Sequence, residues 1–197
     1  MSRKMTGIRT KQPLKMDSDD LTIFFKALDF AAKKHKDQRR KDEGETPYIN
    51  HPIAVAKTLV ETGKVTDVHT IAAALLHDTI EDTHTKPDEI EEEFGKKILA
   101  LVLETTDKKW QPKPVRKFLQ IKNASRKSNA AKQIKLADKI CNVQDVLINP
   151  PVKWSNRQQR DYLIWAEMVI KGLRGVNPDL ERMFDELIFT GKQKFGR

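Results

Sequence analysis

The stretch Ile71–Asp82, IAAALLHDTIED, sets six apolar residues directly ahead of His77, Asp78, Glu81 and Asp82. It shows none of the apolar–polar alternation of a half-buried strand. Asp67 precedes it as a candidate N-cap, so the spacing predicts one continuous helix over residues 68–82. At 3.6 residues per turn, His77 falls one turn before Glu81 and Asp78 one turn before Asp82. A helix buried along its length and ending in four ionisable groups loses hydration energy that something must restore. A divalent cation can restore it, because it accepts imidazole and carboxylate ligands together.

Helical periodicity continues on both sides. Residues 20–38 place Leu21, Phe24, Phe25 and Leu28 on one face, with Asp17, Ser18 and Asp19 as cap candidates. A polar loop, DEGETP at 42–47, leads to His51-Pro52, the expected entry of a helix running to about Gly63. Further helices are expected from Pro87 to just before Gly95, and over 96–106, 115–123, 129–147, 156–172 and 178–189. No segment alternates as a strand, so the expected fold is all-α, a bundle of about eight helices. Its body spans 20–190, with a basic arm at 1–19 and a C-terminal tail at 191–197.

Composition narrows the function classes. The chain has 197 residues and one cysteine, Cys141, which excludes an internal disulfide framework or a multi-cysteine zinc site. An unpaired thiol fits a reducing compartment, most simply the cytoplasm. The longest apolar runs, Ile71–Leu76 and Ile98–Leu103, hold six residues, far short of the roughly 20 that span a bilayer. The N-terminus lacks the apolar core of a secretory signal, and Gly7 and Pro13 interrupt any amphipathic transit helix. Five of the nine net positive charges fall in the first 16 residues. The others gather in lumps at 33–41 and 107–127, separated by the acidic run Asp88–Glu93. Alternating patches suit a small anion better than a groove for nucleic acid, and no aromatics interleave a basic face.

Two more candidate ligands lie in apolar helical surroundings. His51 opens its helix within YINHP, and Asp138 interrupts the core-facing stripe IKLADKI. Taken singly, His51 reads as a helix cap and Asp138 as a buried ion-pair member. Together with His77 and Asp78 they form a mixed nitrogen–oxygen set suited to Mn²⁺, Fe²⁺ or Zn²⁺. His35, His69 and His84 read as structural or surface residues, and Cys141, without an adjacent base, as packing.

The segments FAAKKHKDQRRKDEGETPYINHP (30–52), AALLHDTIEDT (73–83) and IKLADKICN (134–142) resemble the HD-superfamily alarmone hydrolases, the hydrolase domains of RelA/SpoT-type enzymes. The likeness extends over about residues 20–190 and is nearest to the small stand-alone, metazoan SpoT-like members. It implies that His51, His77, Asp78 and Asp138 bind one Mn²⁺ and that Glu81 and Asp82 do the acid–base work. It implies that Arg40, Lys41, Tyr48 and Asn142 line a nucleotide pocket, with Lys113 helping to hold phosphate. The activity implied is hydrolysis of guanosine 3′,5′-bis(diphosphate) at its 3′ position to GDP, or GTP from the pentaphosphate, and pyrophosphate. The sequence departs from the family where an arginine is expected to meet distal phosphates, since that position falls on Gln158, between Arg157 and Arg160. Two rival functions share these features. One is a related phosphohydrolase, such as an NADPH 2′-phosphatase, and the other is a nucleotide-binding protein without catalysis.

Overall fold

A computed structural model describes residues 17–196. Among these, nine α-helices follow in order: α1 (Ser18–Lys34), α2 (Asn50–Glu61), α3 (Val68–Leu76), α4 (Thr79–Asp82), α5 (Pro87–Thr105), α6 (Lys113–Asn123), α7 (Asn129–Ile148), α8 (Asn156–Lys171) and α9 (Pro178–Phe195). A 3-10 turn at Ala124–Arg126 joins α6 to α7. The only β pairing among the described residues is a single bridge between Arg39 and Pro47. The all-α expectation holds.

Local chemistry fixes the helix starts. Asp17 caps α1 by accepting the Asp19 and Asp20 amides, and Asp67 caps α3 through Thr70. Ser155 and Gln158 form a reciprocal capping box on α8. The core is built around α7, which packs on α2, α3, α5, α8 and α9. Ile134, Leu136, Ala137 and Ile140 of α7 are all fully buried. The α3 helix is buried on every side from Ile71 to Leu76, which explains why its composition carries no polar face.

Several boundaries differ from expectation, among them the end of α1, which stops at Lys34 rather than at about residue 38. Residues 68–82 are two helices rather than one, with His77 and Asp78 in the break. The His77 imidazole bonds back to the Ala74 carbonyl (2.8 Å) and the Thr79 hydroxyl donates to the Leu76 carbonyl (2.7 Å). Side chains thus take carbonyls that the helical ladder would otherwise use. At its other end, α1 begins at Ser18, inside the span assigned to the arm; residues 1–16 lie outside the described ones. Last, α9 continues to Phe195, so most of the expected tail is helix.

That extension is anchored by Gly191, which is buried where α9 crosses α8. A Cβ there would stand 2.1 Å from Leu163 Cδ2. Gly191→Val is expected to destabilise the fold by about 1–3 kcal/mol, the usual cost of overpacking a core contact. A thermal melt matching that of the parent chain would refute this close approach. The expected pause between two helical segments at Gly95 is also present. There α5 kinks at a φ of 79°, a conformation that glycine adopts without steric cost.

Candidate active site

The elements converge on the middle of α7. Asp138 is 4% exposed, and its two carboxylate oxygens face different partners. Oδ1 lies 3.3 Å from His51 Nε2 and 3.9 Å from His77 Nε2. Oδ2 accepts from Lys139 Nζ (2.9 Å) and lies 3.3 Å from Lys135 Nζ. Asp78 closes the group, with Oδ2 3.0 Å from His77 Nε2 and 3.8 Å from His51 Nε2. His51, His77 and Asp138 are buried and offer ligand atoms all within 4.8 Å of one another.

The donor set fits a metal ion. His77 is fully buried, and with its Nδ1–H donating to the Ala74 carbonyl its Nε2 carries a free lone pair. That Nε2 has no hydrogen-bond partner; Asp78 Oδ2 is near it but out of line. Atoms each bonded at about 2.0–2.2 Å to a shared ion lie roughly 3–4 Å apart, as these do. Burial opposes ionisation of Asp138, but the Lys139 and Lys135 ammonium groups outweigh it and hold the carboxyl well below the usual range. The carboxylate is therefore ready to ligate at neutral pH.

The second carboxylate pair of this segment looks elsewhere. Glu81 Oε1 accepts from Arg116 Nη1 on α6, and Glu81 Oε2 accepts from the Asp107 amide, both at 3.0 Å. Burial raises the Glu81 carboxyl to about 6, although the hydrogen bond from the Asp107 amide pulls the other way. Asp82 Oδ1 accepts from Lys109 Nζ (2.5 Å), and Gln38 Nε2 reaches its Oδ2 at 3.4 Å. The break after α3 thus sends His77 and Asp78 to the imidazole–carboxylate group and the next turn to a cationic wall.

A cleft of about 870 Å³ reaches this group through His51 and is lined as well by Glu81 and Asp82. Of the residues expected in a nucleotide pocket, Arg40, Lys41, Tyr48 and Asn142 line it too. The 36–49 loop is folded back on itself, with the Arg40 amide bonded to the Thr46 carbonyl and the Tyr48 amide to the Gln38 carbonyl. This brings the Arg40 guanidinium to 5.6 Å from the Tyr48 ring centre. Arg40 also bonds Asp145 (2.5 Å) and Asn142 (3.2 Å). Asn142 in turn donates to Asp138 Oδ1 (2.5 Å). The Tyr48 hydroxyl donates to Asp78 Oδ2 (2.7 Å), and burial together with Asp78 and Asp82 keeps it protonated. Tyr48 and Asn142 therefore orient Asp78 and Asp138 as well as lining the cleft.

Lys113 does not reach that cleft. It lines an adjoining hollow of about 300 Å³ with Lys117, Trp154, Gln158 and Tyr162. Gln158 has its side-chain oxygen occupied by the Ser155 amide (2.9 Å) and hydroxyl (3.2 Å) in the capping box. Of its neighbours, Arg157 pairs with Asp161 at 3.8 Å, and Arg160 Nε is buried without a partner. His35 is a buried structural residue bonded to Gln38 (2.7 Å). Cys141 is buried and its thiol is pushed up to about 12, so it is packing rather than nucleophile.

Gln38, Lys109, Arg116, Lys135 and Lys139 are the residues that the sequence reading missed. Lys135 and Lys139 flank Asp138 at i−3 and i+1, and a carboxylate buried between two lysines on a core helix is a signal that could have found them.

Comparison with known proteins follows the same geometry. A family model described as HD domain matches residues 27–168. A protein from Xenopus tropicalis named guanosine-3′,5′-bis(diphosphate) 3′-pyrophosphohydrolase MESH1 is 48% identical over 170 residues, covering 86% of this chain and 95% of that protein. The protein of the same name from Homo sapiens is 49% identical over 161 residues, covering 82% and 90%. A solved structure described as a metazoan ortholog of SpoT that hydrolyzes ppGpp superposes with a TM-score of 0.83 at 43% identity. It covers 88% of this chain and 96% of that one.

Proposed function

The chain belongs to the HD-domain family, and on that premise we propose that it is a Mn²⁺-dependent guanosine-3′,5′-bis(diphosphate) 3′-pyrophosphohydrolase. The observation that carries this reading is the buried His51–His77–Asp138 group at a cleft shared with Glu81, Asp82, Arg40 and Lys41. His51, His77, Asp78 and Asp138 would hold the ion, a mixed nitrogen–oxygen set that suits Mn²⁺. When bound, the ion would polarise a phosphoryl oxygen and make water more acidic.

The chain's own residues account for the rest. Arg40 and Lys41 supply positive charge to a nucleotide bearing two diphosphates, and the planar Arg40 guanidinium is shaped to lie against a purine. Asp82 opens on the cleft and takes the proton of the attacking water. Glu81, poised near neutrality, exchanges a proton with the reacting groups under the hold of Arg116. Water adds its hydroxyl to the phosphorus on the ribose 3′ oxygen, that oxygen gains a proton, and GDP and pyrophosphate separate. No helix among the described residues is long and apolar enough to cross a membrane. The buried, unpaired Cys141 accords with work in a reducing compartment such as the cytoplasm.

One assay tests the reading. Purified protein given Mn²⁺ and guanosine tetraphosphate is expected to release GDP and pyrophosphate, to stop on chelation, and to resume when Mn²⁺ is restored. Undiminished turnover in metal-stripped protein would overturn the metal role. Release of orthophosphate from NADPH, with guanosine tetraphosphate left intact, would move the chain to a different substrate on the same scaffold.

A further inference from the structure

Behind the Glu81–Arg116 pair lies a separate hollow of about 380 Å³, roofed by α6 and backed by α7 and α8. Lys108, Arg116, Lys127 and Lys135 line it, against one acid, Asp107. Arg116 is paired with Glu81 and Lys135 with Asp138, so among the described residues Lys108 and Lys127 are the lining cations without an ion-pair partner, and Asp107 accepts from Gln120 Nε2. Lys127 bonds only a backbone carbonyl, that of Glu104, and forms no ion pair among the described residues. Burial first, and then repulsion from Lys135, lowers its pKa against the pull of Asp107 and Glu104. Two polar atoms on the same wall, Arg116 Nε and Gln120 Oε1, are buried without any partner. Orphaned polar atoms of this kind are costly unless something fills the space beside them.

We infer that this hollow is a second anion site, distinct from the nucleotide cleft, which holds a compact inorganic phosphate such as pyrophosphate or orthophosphate. The lysines supply charge and the Arg116 Nε–H a directed donor, while Gln120 Oε1 accepts from a protonated phosphate oxygen or a bridging water. Arg116 lines both this hollow and the cleft, so an anion here touches the group that holds Glu81. A nucleotide base would find no aromatic face among these side chains. Where the anion is pyrophosphate, its supply rests on the proposed reaction; the binding itself does not.

The test is calorimetric titration of the metal-loaded full chain with inorganic pyrophosphate and, separately, with orthophosphate. Lys127→Gln and Lys108→Gln change the hollow alone, and Lys41→Gln changes the cleft alone. A binding event is expected that survives Lys41→Gln and weakens about tenfold in Lys127→Gln, the effect of losing one charge-assisted contact. Lys108 is exposed, so weakened binding in Lys108→Gln cannot be ascribed to misfolding. Pyrophosphate binding tighter than orthophosphate would mark the reaction product as the occupant, and the reverse order solvent phosphate. Both lysine variants should turn nucleotide over at the parent rate. Parent-like affinity in both, or loss of all binding in Lys41→Gln, would overturn the site. Lysine-dependent binding in a protein that hydrolyses no nucleotide would uphold the site while refuting the proposed reaction.

Discussion

Asp82→Asn is expected to lower kcat about 10²–10⁴-fold, the range for loss of a positioned acid–base group, while the protein keeps its metal. The substitution preserves shape and leaves an oxygen for Lys109, which now bonds Asp82 Oδ1 at 2.5 Å. It removes the charge and the capacity to take a proton. Asp82 is not among the residues gathered around His51 and His77, so elemental analysis should find bound metal at the parent ratio. Nucleotide should still bind, because Arg40, Lys41 and the imidazole–carboxylate group are unchanged. Asp78→Asn is the contrast: it should lose metal affinity, and activity should partly return at high Mn²⁺. If Asp82→Asn purifies without metal while Asp78→Asn retains it, the two roles are assigned the wrong way round.

Asp138→Asn should be more damaging still, because it strikes metal and fold together. The carboxylate supplies Oδ1 to the imidazoles and Oδ2 to Lys135 and Lys139, both nearly fully buried. An amide would leave two ammonium groups without their counter-charge in the interior. Breaking a buried charge pair from one side costs about 3–5 kcal/mol. The expected result is no bound metal, no turnover and a markedly lower melting temperature. The pH dependence follows with a definite sign. Because the folded-state pKa of Asp138 is depressed, its stabilisation is fully present above the ordinary carboxylate value of about 3.9 and fades as pH falls below it. Asp138→Asn should therefore lose less stability on acidification than the parent. An equally stable, metal-loaded Asp138→Asn protein would falsify the assignment.

The helical content and most of the imidazole–carboxylate group are legible in the sequence for one physical reason. Helices bury apolar residues at fixed spacing, so an ionisable residue in such a pattern, as at His77 or Asp138, stands out. Arg116, Lys109 and Gln38 do not stand out, since they come from a surface helix and two polar loops where charge is ordinary. They meet Glu81 and Asp82 only through the fold. The break at His77-Asp78 was hidden because it arises from side chains bonding backwards to Ala74 and Leu76, a choice that periodicity does not encode. Lys113 is suggested by family likeness alone, and the path of α6 sets it in the hollow that adjoins the cleft through Arg116, Trp154 and Tyr162.

The break between α3 and α4 has a further consequence, for which changes this segment can tolerate. His77 and Asp78 must face α7, while Glu81 and Asp82 must face the loop and α6, and only Thr79 and Ile80 separate the two pairs. Each residue added to or taken from a helical backbone turns everything beyond it by about 100°. An insertion or deletion at 79–80 would swing Glu81 and Asp82 off their cationic wall while leaving the imidazole group untouched. Side chains in this segment can be exchanged singly and read as graded losses, but its length admits no intermediate. A library varying length at 79–80 should yield proteins that load metal and turn over nothing.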